Sequence, residues 1–232
     1  MKPLAIITGV GPGTGSALAK RFAAGGYRVA MIARSADRLA ELERDIPDSI
    51  AVPCDVSDKA VLHSALDRIL QSHGTPKTVI YNAVGGAFGT FEQIEPEILE
   101  RNFQVNVMAL LHLARRLAPD MVAAGGGTLI VTGNTSAQRG RANFAGFAPT
   151  KAAQRILAES IAREMGPKGL HVAYIVIDAV IDLPWTRERF KAATDDFFIQ
   201  PKAIADEAWH VAHQDRSAWS FLVEVRPFRE NW

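Results

Sequence analysis

Short apolar runs alternate with longer amphipathic segments along the whole chain. The runs at 4–8, 27–33, 49–52, 78–81, 128–132, 171–177 and 220–225 have strand length. Most are nearly unbroken in apolar character, as expected of strands covered on both faces. Between them, 14–25, 36–45, 58–73, 95–124, 147–165 and 202–213 read as helices. Asp58 is placed to cap one helix, with Gly74 at its end and Pro76 beyond; Gly166-Pro167 stops another, Gly166 being the expected left-handed cap. In that helix Ala153, Ile156, Leu157, Ser160 and Ile161 recur at helical spacing and predict a core-facing stripe, with Arg155, Glu159 and Arg163 on the other side. Regular alternation of strand and helix predicts an α/β fold. It is a single doubly wound, Rossmann-like parallel sheet with helices on both faces, occupying 1–232 as one domain. No repeat, low-complexity tract or linker interrupts it. The irregular stretch 179–201 mixes charge with Pro184, Trp185, Phe190, Phe197 and Phe198. It follows the C-terminal end of a strand, where such sheets bind ligands, and is read as a lid on the substrate side. Its three Phe either line an apolar pocket or pack in the core or an interface.

Composition narrows the class. The 232 residues carry 26 Lys+Arg against 25 Asp+Glu, a net charge of +1, so the basic excess of a nucleic-acid binder is missing. With 48% hydrophobic and 22% charged residues, the chain is an ordinary globular one. The single Cys54 excludes an internal disulfide framework and fits a reducing, cytoplasmic setting. No apolar run approaches the ~18 residues of a membrane span, and MKPLAIITG reads as a strand and not as a signal peptide. The six His and Cys54 show no metal-ligand spacing; His210 and His213 are three apart but lack a third ligand.

Residues 8–15 read Thr-Gly-Val-Gly-Pro-Gly-Thr-Gly, directly after the first strand. The G-x-G-x-x-G pattern fails because Thr14 stands three after Gly11, and no Gly-Lys-Ser/Thr follows to make a P-loop. What remains is T-G-x-x-x-G-x-G, with Gly11, Pro12 and Thr14 between the fixed glycines Gly9, Gly13 and Gly15. Such a turn lets backbone pass close to a pyrophosphate and leads into a helix N-terminus that favours anions. A tight strand-to-helix turn that binds nothing is the bland alternative. After the next strand, where an acidic side chain would meet a free ribose 2′-hydroxyl, the chain has Ala33, then Arg34, with Arg38 one turn on. A guanidinium suits a 2′-phosphate, so NADP is expected over NAD. Otherwise the two Arg are a solvated helix start.

With these landmarks in order, the chain resembles the short-chain dehydrogenase/reductase family over essentially its whole length. The motifs are the glycine turn at 8–15, Asp55-Val56 after the third strand, Tyr81-Asn82-Ala83-Val84 as an altered N-N-A-G after the fourth, and Asn106-Val107 in the middle helix. The resemblance implies a cofactor site at Gly9, Gly11, Pro12, Gly13, Thr14, Gly15, Arg34, Asp55, Val56, Asn82, Ala83, Lys151 and Ile181. Ile181 stands where a backbone group of the family holds the nicotinamide carboxamide. It implies a catalytic set at Asn106, Asn134, Phe147 and Lys151. Here the chain departs from the family: Phe147 occupies the Tyr position of Tyr-x-x-x-Lys, and Asn134 the Ser position 13 residues before it. The family's Pro-Gly after the sixth strand reads Asp178-Ala179.

A phenyl ring neither donates nor accepts the proton, a loss worth about 10²–10⁴ in rate. Asn134 retains an amide for a carbonyl oxygen, Lys151 its charge and its reach to a ribose, and Asn106 its amide. Asp178 and Asp182 flank the nicotinamide position as substitute acids, or are an ordinary cap and a solvated carboxylate. Ser136 lies two residues past Asn134 and is read as a loop hydrogen-bonding residue. The resemblance implies an NADP-dependent oxidoreductase acting on a small-molecule carbonyl or alcohol by an atypical mechanism. The alternative is a catalytically impaired cofactor-binding protein, a redox sensor or a regulatory or structural subunit. It also implies a homodimer or homotetramer, with the apolar tail around Phe228 and Trp232 meeting a partner subunit.

Overall fold

The structure, a computed structural model, describes residues 2–230. In chain order the elements are β1 (Leu4–Thr8), α1 (Thr14–Ala24), β2 (Arg28–Ala33), α2 (Ala36–Asp45), β3 (Ser49–Pro53), α3 (Lys59–His73) and β4 (Thr78–Tyr81). Then come α4 (Pro96–Phe103), α5 (Ala109–Ala123), β5 (Gly127–Asn134), α6 (Ala148–Met165) and β6 (Leu170–Ile177). The last are β7 (Val180–Ile181), α7 (Pro184–Arg189), β8 (Phe198–Ile199), α8 (Pro201–Ala212) and β9 (Leu222–Val225). Seven strands form one parallel sheet in the order β3-β2-β1-β4-β5-β6-β9.

Alternation along each strand divides the core. Ile6, Val79, Tyr81 and Val131 pack under α3, α5 and α6 with Leu62, Leu66, Leu110, Leu113 and Ala158. Ile7, Ile80, Ile130 and Ile175 pack on the other face with Leu18, Phe22, Leu39, Ile204 and Val211 of α1, α2 and α8. The doubly wound, Rossmann-like sheet read from the alternation is therefore the fold. Its strand order reverses at β1, whose Thr8 lies beside Ile32 of β2 on one side and Tyr81 of β4 on the other. Ligands bind at such a switch point.

Local sequence sets several element ends. Asp58 Oδ1 accepts from the Ala60 and Val61 N–H groups at 2.9 and 3.0 Å, capping α3, and Gly74 ends it at φ +79°. Four readings are corrected. The helix expected over 95–124 is α4, a π-helical turn Gln104–Met108, and α5. Gly166 is right-handed (φ −53°); the chain continues through a 3₁₀ turn, and Gly169 takes the left-handed conformation at φ +93°.

The core stripe of α6 was misplaced. Ile156 is 51% exposed and Ser160 is exposed, while Lys151, Gln154 and Ala158 face inward, with Leu157 and Ile161 partly buried. Leu157 and Ile161 of the expected stripe do pack against the core, but two polar residues occupy the centre of the buried face and turn Ile156 and Ser160 outward. Finally, 179–201 is not irregular. It holds β7 paired parallel to β8, α7 between them, and a 3₁₀ turn. Phe198 is buried there under the Arg187 guanidinium, 4.3 Å from its ring, and Phe190 packs on Phe197. Trp232 lies outside the described residues. Among those described, no helix is long and apolar enough to cross a membrane.

Candidate functional site

The glycine turn is built against the end of β4. Gly9 stands at φ +69°, and a Cβ there would lie 2.6 Å from Asn82 and Ala83 backbone atoms. Asn82 Nδ2 donates to the Gly9 carbonyl at 2.9 Å, Thr132 Oγ1 donates to Asn82 Oδ1 at 2.9 Å, and the Asn82 and Ala83 N–H groups donate to Thr8 Oγ1. Asn82 thus spends its side chain holding the turn in shape. Gly15 is needed as well, because a Cβ would meet the Gly9 carbonyl oxygen at 2.5 Å. Gly13 touches Leu183. Gly11 is different: a Cβ there meets nothing within 4 Å.

The half-buried Gly11 and the exposed Pro12 lead into α1, whose first turn has no side-chain cap and no acidic residue. Thr14 Oγ1 is buried in that turn without a hydrogen-bond partner. Free N–H groups at a helix N-terminus, an orphaned hydroxyl and a bare glycine converge there, a donor set that fits a pyrophosphate.

The flanking residues frame the same edge. Arg34 is exposed just past β2, and Ser35 caps α2 by accepting from the Arg38 N–H. Asp55 Oδ1, past β3, accepts from the Ser57 N–H and hydroxyl at 3.0 and 2.7 Å. Val56 is buried beside it. Burial pushes the Cys54 thiol up to about 11, so it is inert as a nucleophile.

The proton-handling end is altered in geometry as well as in sequence. Phe147, one residue before α6, is 7% exposed; its ring lies against Gly86 and 5.8 Å from the Phe88 ring. Asn134 ends β5 and accepts from the Ser136 N–H through Oδ1 at 3.1 Å. Its Nδ2 makes no bond among the described residues and is free to donate to a ligand. Ser136 is buried in that 3₁₀ turn.

Asn106 sits in the π-helical turn, a distortion common at functional positions. Its side chain closes a double bond with Gly85, Oδ1 accepting from the N–H at 2.9 Å and Nδ2 donating to the carbonyl at 2.7 Å; Nδ2 also donates to Thr150 Oγ1 at 2.8 Å.

Lys151 is 2% exposed. Its Nζ donates inward, to the Thr132 carbonyl at 3.2 Å and to Gln154 Oε1. Burial alone lowers its pKa to about 7, so the full positive charge expected from the sequence is held only in part at neutral pH.

The two substitute acids part company. The bidentate Arg187 guanidinium, at 2.6 and 2.8 Å, and Gln200 at 2.7 Å hold the Asp182 carboxyl down at about 2. Asp182 is therefore a structural carboxylate that ties α7 to β7 and α8, and not a proton donor. Asp178 is buried at the end of β6, its N–H bonded to the Val225 carbonyl. The Ile181 carbonyl accepts from Thr186 Oγ1 at 2.6 Å. Sequence reasoning missed Gln154. A polar residue three after Lys151, on the same helical face, was the available signal for Gln154.

The architecture is that of a doubly wound, Rossmann-like fold, and the comparisons specify it further. Residues 3–190 match the short chain dehydrogenase family model, and the chain belongs to that family. It is 30% identical over 169 residues to the D-erythrulose reductase of Gallus gallus, covering 72% of this chain and 67% of that protein. Two solved structures are similar at 26% identity and 98% coverage of both chains. One is a metagenomic short-chain oxidoreductase in complex with NADP (TM-score 0.86). The other is the 3-ketoacyl-(acyl-carrier-protein) reductase of Brucella melitensis complexed with NADH (TM-score 0.88).

Two predictions follow from this geometry. Gly9→Ala should lower unfolding stability by at least about 1–3 kcal/mol, from left-handed strain with backbone overlap added, while Gly11→Ala leaves the urea midpoint in place. Equal midpoints for the two variants would contradict the turn geometry. For Lys151 the folded pKa lies below the unfolded value, so the unfolded chain binds more protons above pH 7. Stability should therefore rise as pH goes from about 7 to 9, before the raised Cys54 begins to oppose it above 9. Urea titrations of Lys151→Met against the wild type should show that component of the rise removed.

Proposed function

We propose that the chain binds NADP(H) across the ends of β1, β2 and β4 and interconverts a carbonyl and an alcohol on a small-molecule substrate, without the family's Tyr and Ser. The observation that carries the reading is the β1–α1 turn: Gly11 is bare for no internal reason, next to the buried and unpartnered Thr14 Oγ1. A turn that only reverses the chain has no use for either. The two similar structures that hold NADP and NADH support a nicotinamide cofactor. The choice of NADP rests on Arg34, exposed past β2 where no acidic side chain replaces it.

In this reading the dinucleotide, when bound, supplies or accepts the hydride. The rest falls to the chain. Gly9, Gly13, Gly15, Asn82 and Ala83 shape the phosphate turn, and Gly11, Pro12 and Thr14 face the ligand. Arg34 meets a 2′-phosphate; Asp55 and Val56 border the adenine side. Asn134 Nδ2 donates to the substrate oxygen, a surviving part of an oxyanion contact. Lys151 is the one titratable amine at the site, and Asn106 fixes the 85–86 backbone against Phe147. The segment 179–201 covers the substrate side. A second reading is a cofactor-binding protein that does not turn over, and the walled-in Phe147 ring favours it.

Thermal unfolding with NADPH, NADP, NADH and NAD tests the first step. A ligand at 100 times its Kd stabilises by about 2.7 kcal/mol. The phosphorylated pair should shift the midpoint more, and Arg34→Ala should weaken NADPH roughly tenfold while sparing NADH. No shift with any of the four would sink the cofactor reading. The second step is Phe147→Tyr with Asn134→Ser, which should raise carbonyl reduction by about 10²-fold over the native chain. Unchanged activity with NADPH binding intact would count against Phe147 as the proton-transfer position.

A further inference from the structure

Gln154 is fully buried on α6, one helical turn after Lys151. Its carboxamide is fastened at both ends. Oε1 accepts from Lys151 Nζ and, at 3.4 Å, from the Tyr174 hydroxyl; Nε2 donates to the Asn106 main-chain carbonyl at 2.8 Å. Reversing the amide would set its nitrogen against two donors and its oxygen against a carbonyl, so the orientation is determined. The sheet makes room for the arrangement. A Cβ on Gly133 would sit 2.1 Å from the Tyr174 ring, so only glycine at that point of β5 lets Tyr174 reach α6.

We infer that Gln154 is the positioning residue for Lys151: it holds the amine turned inward between its own Oε1 and the Thr132 carbonyl, and through that hold it governs how the cofactor is bound. The inference rests on the reading of Lys151 as a cofactor-side residue only for this last consequence. The choice of an amide matters because every acceptor given to the ammonium is uncharged. The Thr135–Ala137 turn, the π-helical turn and β5 carry no charged residue.

On β4 and β6 the titratable groups nearest α6 are Tyr81 and Tyr174, both kept protonated by burial, with Asp178 past the end of β6 and His171 bonded to the Ser220 carbonyl at its start. Glu97, Glu100 and Arg101 of α4 are exposed, and Arg116 of α5 pairs with Asp67 and Asp120. His112 of α5 packs edge-to-face against His63. On α6 itself Arg155 bonds the Ala137 carbonyl and Glu159. No carboxylate among the described residues bonds to Lys151. An amide at 154 therefore leaves the buried amine free to lose its proton near neutrality, where a carboxylate would keep it charged.

The experiment is a pH titration of the Lys151 13Cε resonance in lysine-labelled protein, assigned by its loss in Lys151→Arg, alongside NADPH affinity by fluorescence over the same range. In the native chain the Lys151 midpoint should fall at about 7. An ordinary lysine midpoint of about 10 would overturn the inference without recourse to any variant. Gln154→Glu should raise the midpoint by about one unit or more, and Gln154→Met should lower it. The pH at which NADPH binding weakens should move with the midpoint in each case.

A midpoint indifferent to both substitutions in folded protein would overturn the inference, as would a moved midpoint with an unmoved NADPH profile. Absence of NADPH binding to the native chain would instead refute the proposed function, and the resonance titration would still decide whether Gln154 sets the state of Lys151.

Discussion

The site depends on how closely two backbones pass at the switch point of the sheet. β1 and β4 end side by side, and the chain leaving β1 must rise over Asn82-Ala83 with no room for a Cβ at Gly9. Thr8 and Asn82 lock that approach. The Thr8 hydroxyl receives both N–H groups after β4, while the Asn82 amide reaches back to Gly9 and across to Thr132 of β5. Three strands are thereby tied together at their C-terminal ends by side chains of ordinary polarity. The turn is rigid before any ligand arrives, which reduces the ordering cost of binding. The helix N-terminus that follows is aimed by the same lock.

Much of this was legible in the sequence because it is local. A parallel strand covered on both faces writes a continuous apolar run, and the seven runs found each strand of the sheet to within two residues at either end. The glycine spacing located the turn, and Asp58 and Gly74 located the ends of α3. What was missed depended on long-range partners. Asn106 of the π-helical turn at 104–108 meets Gly85, and Asn102 of α4 donates to the Gly146 carbonyl; neither partner is near in sequence. The chain past Gly166 is held by Gly169, whose left-handed conformation could as well have been assigned to the first glycine. β7 and β8 are two residues each, too short for periodicity to show.

The error on α6 is the most informative. A hydrophobic stripe is a reliable guide only where the buried face is apolar, and here that face presents Lys151 and Gln154 to the sheet. The apolar Ile156 is left outside instead. Where a helix buries polar groups and exposes apolar ones, the pattern points to a site on the one face and leaves the other without a partner among the described residues. The same polar face sets the partners of Lys151. The resemblance gives Lys151 a reach toward a ribose, and within the chain its bonds run to Thr132 and Gln154.

Phe147 and Lys151 meet at the start of α6, where the Lys151 N–H donates to the Phe147 carbonyl at 3.2 Å. Without a hydroxyl at 147, Lys151 has no phenol beside it whose ionisation it must favour, and a charged ammonium there gains less. Burial then tips the amine toward neutrality, and an uncharged acceptor at 154 lets it go. A carboxylate at 154 would restore the charge at the cost of a buried ion pair, with its own desolvation penalty. The amide avoids both penalties and still satisfies the Asn106 carbonyl, which would otherwise be left without its Gln154 donor beneath α6. On this account Phe147 and Gln154 belong together: where no phenol stands at 147, an amide at 154 closes a network of uncharged acceptors around Lys151, beside the glycine turn.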